Sequence, residues 1–158
     1  MEILDYCVSE PSEKAKLVVI IVHGMQEHLY RYTDFANYLA NKGYIAVRYS
    51  LLGHGPSVSK EEKGYFGEKN GDQKLVQQLN EVVKETKRRY PNQAIVLYAH
   101  SLGSMIARAY LQDQDSEVDG VILQGPACFN QASFFGMTVS KILQMNKGPK
   151  GKSKLLDT

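Results

Sequence analysis

Residues 94–103 read AIVLYAHSLG, a buried-type strand followed at once by a tight turn. The run AIVLY (94–98) is apolar and rich in β-branched residues, which is typical of a strand covered on both faces of a parallel sheet. The next five residues, AHSLG (99–103), match the G-x-S-x-G nucleophile elbow with alanine in the first glycine position. Such a turn demands small residues two before and two after the serine, and alanine and glycine stand there. We therefore expect Ser101 to be an exposed nucleophile; the alternative is a serine that only caps a helix.

Similar apolar runs recur along the chain, with amphipathic helical patterns between them. The strand candidates are residues 3–8 (a weak one), 16–22, 44–49, 94–98 and 118–123. Helices are expected over residues 32–42, from an N-cap at Asp72 to just before Pro91, and from Leu102 through Tyr110. The apolar stripe of the last helix is expected to include Met105 and Ala109. Strand and helix thus alternate at βαβ spacing. This order predicts an α/β fold with a doubly wound, mostly parallel sheet.

The composition is that of an ordinary globular chain. Of the 158 residues, 43% are hydrophobic and 23% are charged, and 19 basic against 17 acidic side chains leave a net charge of +2. This balance gives no reason to expect a nucleic-acid partner. No apolar run approaches the roughly 20 residues of a transmembrane helix, and the first residues do not form a signal peptide. With only two cysteines, Cys7 and Cys128, the simplest expectation is a cytoplasmic location.

A second motif, HGMQEH (23–28), directly follows the strand candidate 16–22. Parallel sheets bind ligands beyond the carboxyl ends of their strands, so this loop and Ser101 are expected at one edge. The glycine lets the backbone turn, which makes the N–H groups of Met25 and Leu102 candidate donors of an oxyanion hole. The motif also approaches the metal-binding pattern H-x-x-E-H. Its spacing is one residue too long and it follows a strand, so we expect no metal.

A third motif, GHGPS (53–57), follows the strand candidate 44–49. Glycines at a strand end sometimes hold phosphate, but neither G-x-x-x-x-G-K nor G-x-G-x-x-G is present here. A structural turn is the better interpretation. We expect His54 to form hydrogen bonds within that turn and not to act as a base.

Together and in this order, HGMQEH, GHGPS and AHSLGS resemble the α/β-hydrolase superfamily, and more narrowly its bacterial branch similar to monoacylglycerol lipases and lysophospholipases. The resemblance runs from about residue 3 to residue 130. It implies a serine hydrolase that forms an acyl-enzyme with carboxylic, lipid-like esters and needs no metal or organic cofactor. The implied site residues are Ser101 as nucleophile, the Met25 and Leu102 N–H groups as oxyanion donors, and His23, Gly24 and His100 around the substrate.

One departure from the family pattern lies after the second buried strand. Residues 49–52 read YSLL, where relatives usually carry an aspartate and often an arginine before Gly-His-Gly. This departure affects how the loop packs, but the expected chemistry does not depend on it.

The second departure concerns the triad, which this superfamily orders along the chain as Ser, then Asp or Glu, then His. All four histidines precede Ser101. The carboxylates that follow it closely lie too early to match the family's acid; they are Asp113, Asp115 and Asp119. We therefore expect the chain to correspond to the first half of a hydrolase and to have negligible esterase activity alone. His28 is better placed to substitute than His100, whose side chain should point to the opposite face of the strand from Ser101.

The pattern changes near residue 125, and the resemblance implies a hydrolase core (1–125) followed by the beginning of a cap (126–158). Residues 129–145 are rich in Phe and Met, and residues 147–154 read KGPKGKSK. The apolar part is either an amphipathic helix on the sheet or the start of a cover over a lipid pocket. The lysines predict a solvated end, with peripheral membrane contact as a weaker alternative.

Two further expectations concern partners and function. Without later strands, segment 118–123 becomes an apolar sheet edge, which predicts self-association. The alternatives to an ester hydrolase are a non-catalytic binding protein that retains the pocket and a peptidase or thioesterase that uses the same elbow.

Overall fold

The computed structural model describes residues 5–126, and five strands within this range form one sheet. The sheet order is β1-β3-β2-β4-β5, with β1 antiparallel to β3 and all other neighbours parallel. The strands are β1 (Tyr6–Ser9), β2 (Val18–Val22), β3 (Ile45–Tyr49), β4 (Ile95–His100) and β5 (Gly120–Gln124). The predicted α/β fold with a mostly parallel sheet is confirmed.

The core lies on both faces of the sheet because the central strands are covered on each side. All five residues of β2 are buried, and alternate residues enter two different clusters. Val18, Ile20 and Val22 pack under α2 (Gly71–Arg89) and α3 (Leu102–Gln114). Val19 and Ile21 pack under α1 (Thr33–Asn41). The continuous apolar runs in the sequence therefore correctly predicted a sheet that lies between two layers of helices.

The start of α2 differs from the prediction. The helix begins at Gly71, and its N-cap is Asn70, a left-handed residue with φ 56°. Asp72 lies inside the first turn, where its charge favours the helix dipole but does not cap it. The helix begins earlier than predicted because Asn70 adopts a left-handed conformation, which the periodicity of apolar residues does not reveal.

The apolar stripe of α3 also differs in part. Ile106 and Tyr110 of the predicted stripe are buried, but Met105 is 51% exposed and Ala109 is exposed too. Gly103 and Ser104 take their places against the sheet. At the first turn of α3 the contact with the sheet is so close that only small residues fit there.

The last described strand, β5, covers residues 120–124 instead of 118–123 and is not buried like the others. Val121 is 39% exposed and Ile122 is 54% exposed. It pairs only with β4 among residues 5–126, so it is an edge of the described sheet.

None of the helices between residues 5 and 126 is both long and apolar enough to cross a membrane. The expectations for the cap segment and its lysine-rich end fall almost wholly on residues outside the described range.

Candidate active site

Ser101 lies on the one-residue turn between β4 and α3. Its backbone has φ 49° and ψ −114°, a positive φ that non-glycine residues adopt at a cost. Two backbone hydrogen bonds hold this conformation. The Ser101 N–H donates to the Gln124 carbonyl at 3.0 Å, and the Ser104 N–H donates to the Ser101 carbonyl at 2.9 Å. The conformation is therefore fixed by β5 on one side and by the first turn of α3 on the other.

The small residues of the motif let α3 cross the sheet at close range. A Cβ atom at Gly103 would collide with the Val22 carbonyl oxygen and lie 2.8 Å from that of His23. The Ser104 hydroxyl donates to the Ala99 carbonyl at 2.8 Å. Backbone atoms at the end of β2 thus require the small residue that the motif has at position 103.

The HGMQEH loop reaches Ser101 through its glycine. A Cβ atom at Gly24 would lie 3.2 Å from the Ser101 Cβ and 3.0 Å from the His100 Nδ1. The Met25 N–H has no hydrogen-bond partner in the described part of the chain. The Leu102 N–H belongs to the first turn of α3, where helical amides have no carbonyl partner. Both predicted oxyanion donors thus belong to backbone next to Ser101.

Glu27 organises this loop, a role that the sequence motifs did not predict. Its Oε2 accepts from the Gly24 N–H at 2.7 Å, the Tyr32 hydroxyl at 2.9 Å and the His100 Nδ1 at 3.2 Å. Its Oε1 pairs with the Arg31 Nε at 2.8 Å. Burial alone would raise the pKa of Glu27, but these hydrogen bonds outweigh it and hold the pKa below its usual value. Only its position four residues before Arg31 gave a signal in the sequence.

His23 is buried behind the loop and supports it. Its Nε2 accepts from the Leu51 N–H at 2.9 Å, so the proton is on Nδ1, which donates to the Gly24 carbonyl at 2.7 Å. Burial lowers the pKa of His23 to about 4, so the ring is neutral at pH 7. Both nitrogens contact backbone, and neither faces Ser101.

His54 forms the reciprocal bridge. The Gln26 N–H donates to its Nε2 at 3.2 Å, and its Nδ1 donates to the Leu52 carbonyl at 3.0 Å. The predicted hydrogen bonding of His54 within its turn is confirmed, and the ring also joins the two loops. Each loop thus contributes one histidine to the other.

The remaining two histidines are placed differently. His28 is exposed and its ring lies 6.2 Å from that of Tyr30. His100 is directed through its Nδ1 to Glu27. No histidine forms a hydrogen bond with the Ser101 hydroxyl in the described structure. Residues 5–126 also contain no group of acidic, histidine and cysteine side chains fit to hold a metal.

Asp5, near the start of the chain, holds both the unusual YSLL segment and the GHGPS turn. Asp5 is 8% exposed, accepts a short hydrogen bond from the Ser57 hydroxyl, and its carbonyl accepts from the Ser50 N–H at 3.0 Å. The Ser50 hydroxyl accepts from the Leu29 N–H at 3.3 Å. The Asp5 carboxylate therefore binds the GHGPS turn, while its backbone carbonyl binds the YSLL segment.

Comparison with known proteins identifies the family of the chain. A model of the hydrolase family described as serine aminopeptidase, S33, matches residues 13–152. The monoglyceride lipase of Rattus norvegicus is 26% identical over 117 residues, which cover 74% of this chain and 37% of the relative. A probable lysophospholipase L2 of Haemophilus influenzae is 23% identical over 118 residues, with the same two shares of 74% and 37%.

A solved structure is similar over nearly the whole chain. The thermostable carboxyl esterase of Bacillus coagulans superposes with a TM-score of 0.78 at 26% identity, covering 92% of this chain and 48% of the esterase. The chain therefore spans less than half the length of these relatives. The family match covers most of the chain, and the sheet order and serine turn agree with it: the chain belongs to the serine aminopeptidase S33 family of α/β-hydrolases.

Proposed function

We propose that this chain supplies the nucleophile and the oxyanion hole of a serine hydrolase that cleaves carboxylic esters. One observation carries the proposal: Ser101 has a positive φ at a strand-to-helix turn and directly adjoins the Gly24 loop. A serine that merely caps a helix would have an extended backbone and a side-chain bond to the first turn. Ser101 makes no such capping bond.

In this mechanism the Ser101 Oγ attacks the ester carbonyl carbon while a base takes the hydroxyl proton. The carbonyl oxygen becomes negative and accepts from the N–H groups of Met25 and Leu102. Each such donor typically stabilises the transition state by about 2.7–4 kcal/mol. The alcohol then leaves with the proton, and water releases the carboxylic acid from acyl-Ser101.

The base is the missing component. His23 and His54 use both ring nitrogens on backbone, and the Nδ1 of His100 is directed to Glu27. The exposed His28 is the one histidine whose ring forms no such hydrogen bond in the described structure. We propose that the chain by itself has negligible esterase activity, and that the triad acid and histidine are provided from outside this sequence.

The substrate is proposed from the relatives. Monoglyceride lipase and lysophospholipase both act on lipid-like acyl esters by their names, which favours that class here. The family description, serine aminopeptidase, keeps amide substrates as the second candidate, and acyl thioesters are a third. A binding protein without turnover remains the non-enzymatic alternative.

Chemical rescue tests the proposal directly. The wild-type chain and a Ser101→Ala variant are treated with a fluorophosphonate, with and without free imidazole, and read by intact mass. We expect labelling of the wild type only with imidazole, because the small base replaces the missing side chain. Rapid labelling without imidazole would place a base within the chain, and His28→Asn would then identify it. No labelling with imidazole would refute a competent nucleophile.

Parallel turnover separates the substrate classes. With imidazole present, p-nitrophenyl esters, aminoacyl anilides and acyl thioesters are compared on the same preparation. We expect Ser101-dependent cleavage of the esters above the other two. Preference for the anilides would favour the peptidase instead, and binding of all three without cleavage would favour the binding protein.

A further inference from the structure

Three consecutive backbone N–H groups lie in the loop beside the nucleophile, and side chains bind the outer two. The Gly24 N–H donates to the Glu27 Oε2 at 2.7 Å. The Gln26 N–H donates to the His54 Nε2 at 3.2 Å. The N–H between them, that of Met25, has no hydrogen-bond partner among the described residues. The loop therefore leaves free the one donor that the proposed oxyanion hole takes from it.

The backbone of Gln26 adopts a conformation that glutamine does not favour. Its φ is 59°, and among residues 5–126 it shares a positive φ with only two other non-glycine residues, Asn70 and Ser101. A left-handed conformation lowers the population of a non-glycine residue by about fivefold or more. The Gln26 side chain is exposed, so its burial does not stabilise this conformation. The hydrogen bond from its N–H to His54 is the contact that opposes relaxation to a negative φ.

His54 is a well-fixed acceptor for this bond. The ring is buried, and its Nδ1 donates to the Leu52 carbonyl at 3.0 Å, which leaves Nε2 without a proton and able to accept. Phe66 stacks on one side of the ring at 5.7 Å, and the His23 ring meets it edge-on at 5.3 Å. A side chain held in this way can keep a neighbouring loop in a single conformation.

The position of the Met25 N–H depends on this bond. A change of φ at Gln26 turns the peptide group that joins it to Met25, and an oxyanion donor acts only within roughly 2.7–3.1 Å of the developing charge. We propose that His54 is a positioning residue of the ester hydrolysis: through Gln26 it holds the Met25 N–H against the substrate's carbonyl oxygen. The inference rests on the proposed function. His54 transfers no proton in it, because both its nitrogens contact backbone.

The rate of fluorophosphonate labelling in the presence of imidazole tests this role. His54→Phe keeps a ring beside Phe66 but removes the acceptor, and Gln26→Val disfavours a positive φ at an exposed position. For both variants we expect the maximum rate at saturating probe to fall about tenfold to a hundredfold, because the donor is displaced. The probe concentration that gives half of the maximum rate should remain close to that of the wild type.

A second substitution separates positioning from a loss of packing. Glycine adopts a positive φ freely, so adding Gln26→Gly to His54→Phe should raise the maximum rate by about fivefold or more. Asn70→Gly is the matched control, because it changes a left-handed residue of nearly equal φ, 56°, at the start of α2. Added to His54→Phe, it should leave the labelling rate unchanged.

Amide hydrogen exchange, followed by NMR, examines the same contact without any reaction. In the wild type the Gln26 N–H should exchange more slowly than the Met25 N–H, because only the former is hydrogen-bonded. His54→Phe should remove this difference. Equal exchange of the two amides in the wild type would show that His54 does not hold the loop, and the inference would be overturned.

The labelling results also distinguish this inference from the proposed function. An unlabelled wild type in the presence of imidazole would refute the nucleophile, and with it any role of His54 in the reaction. A labelled wild type with an unchanged maximum rate in His54→Phe would refute the role of His54 alone. Equal rescue by Gln26→Gly and Asn70→Gly would likewise overturn it, since the effect would not depend on φ at Gln26.

Discussion

At the scale of single residues, Gly103 has the strictest requirement in the site. Its missing Cβ leaves room for the carbonyl oxygens of Val22 and His23. In a helix, alanine is more favourable than glycine by roughly 1 kcal/mol. Overpacking of a rigid site typically costs about 1–3 kcal/mol and occasionally more, and here the opposing atoms are backbone.

We therefore expect Gly103→Ala to lower the free energy of unfolding by about 2 kcal/mol or more, measured by urea denaturation. Gly120→Ala is the control, because its Cβ would meet only the Val96 side chain, at 3.6 Å. A Gly103→Ala protein as stable as the Gly120→Ala protein would show that α3 can move away from β2.

His23 makes stability depend on pH. Its pKa is lowered to about 4 by burial, whereas an unfolded histidine titrates near 6.5. Between these values the unfolded chain binds the extra proton and the folded chain does not, so stability falls as the pH is lowered from about 6.5 towards 4. The full effect of this group is about 3 kcal/mol.

The measurement is urea unfolding at several pH values in this window. A His23→Asn variant should be less stable at pH 7 and should show a flatter pH dependence than the wild type. His28→Asn, at an exposed position, should retain the wild-type slope. Identical slopes in the wild type and His23→Asn would contradict a neutral, buried His23.

Local sequence patterns could indicate Ser101 and the turn at Gly103, since both requirements are steric and act over a few residues. They could not indicate the function of Glu27, whose partners range from Gly24 to His100. The bridges of His23 and His54 likewise join segments 28 residues apart. Such contacts depend on how strands are ordered in the sheet, which no local motif encodes.

At the scale of elements, the start of α2 depends on one left-handed residue. Asn70 has φ 56° and makes no side-chain cap, so its backbone conformation is what ends the preceding loop. Asn tolerates this region better than most residues, glycine adopts it freely, and alanine does so at a cost of roughly 1–2 kcal/mol.

We expect Asn70→Ala to lower the free energy of unfolding by about 1 kcal/mol and Asn70→Gly to remain close to the wild type, measured by thermal or urea unfolding. The contrast isolates the sign of φ, because both changes remove the same amide group. Equal losses in the two variants would instead assign a role to the Asn70 side chain.

Elements were predicted well where burial is symmetrical and less well where it is not. The runs before residue 100 are covered on both sides and match β2, β3 and β4 closely. Segment 118–123 has the same apolar content, yet β5 is partly exposed because it is an edge of the described sheet. The apolar pattern alone does not show this; the absence of later strands from the sequence predicted it. The predicted apolar stripe of α3 was wrong at Met105, because the first turn of the helix lies so close to the sheet that the small residues Gly103 and Ser104 face it instead.

At the scale of the whole molecule, β5 is the feature most open to other chains. No strand within residues 5–126 pairs with its outer side, and Val121 and Ile122 are exposed on the same strand, a combination that favours strand pairing. We expect the chain to self-associate through this edge, as the sequence also predicts.

Light scattering at increasing concentration should reveal the association, and Ile122→Lys should reduce it, because a charge on an edge strand opposes pairing. Met105→Lys is the matched control, since Met105 is 51% exposed but lies on α3. A monodisperse monomer in the wild type, or equal effects of both lysines, would argue against pairing through β5.

The hydrogen bond from the Ser101 N–H to the Gln124 carbonyl also has a consequence for biosynthesis. Gln124 follows Ser101 by 23 residues, so at about 5–20 residues per second it is added roughly one to five seconds later. On the ribosome the serine therefore exists before the carbonyl that holds its strained backbone. The nascent protein therefore lacks one of the two hydrogen bonds that hold this turn until β5, the strand after the next helix, has been made and has docked.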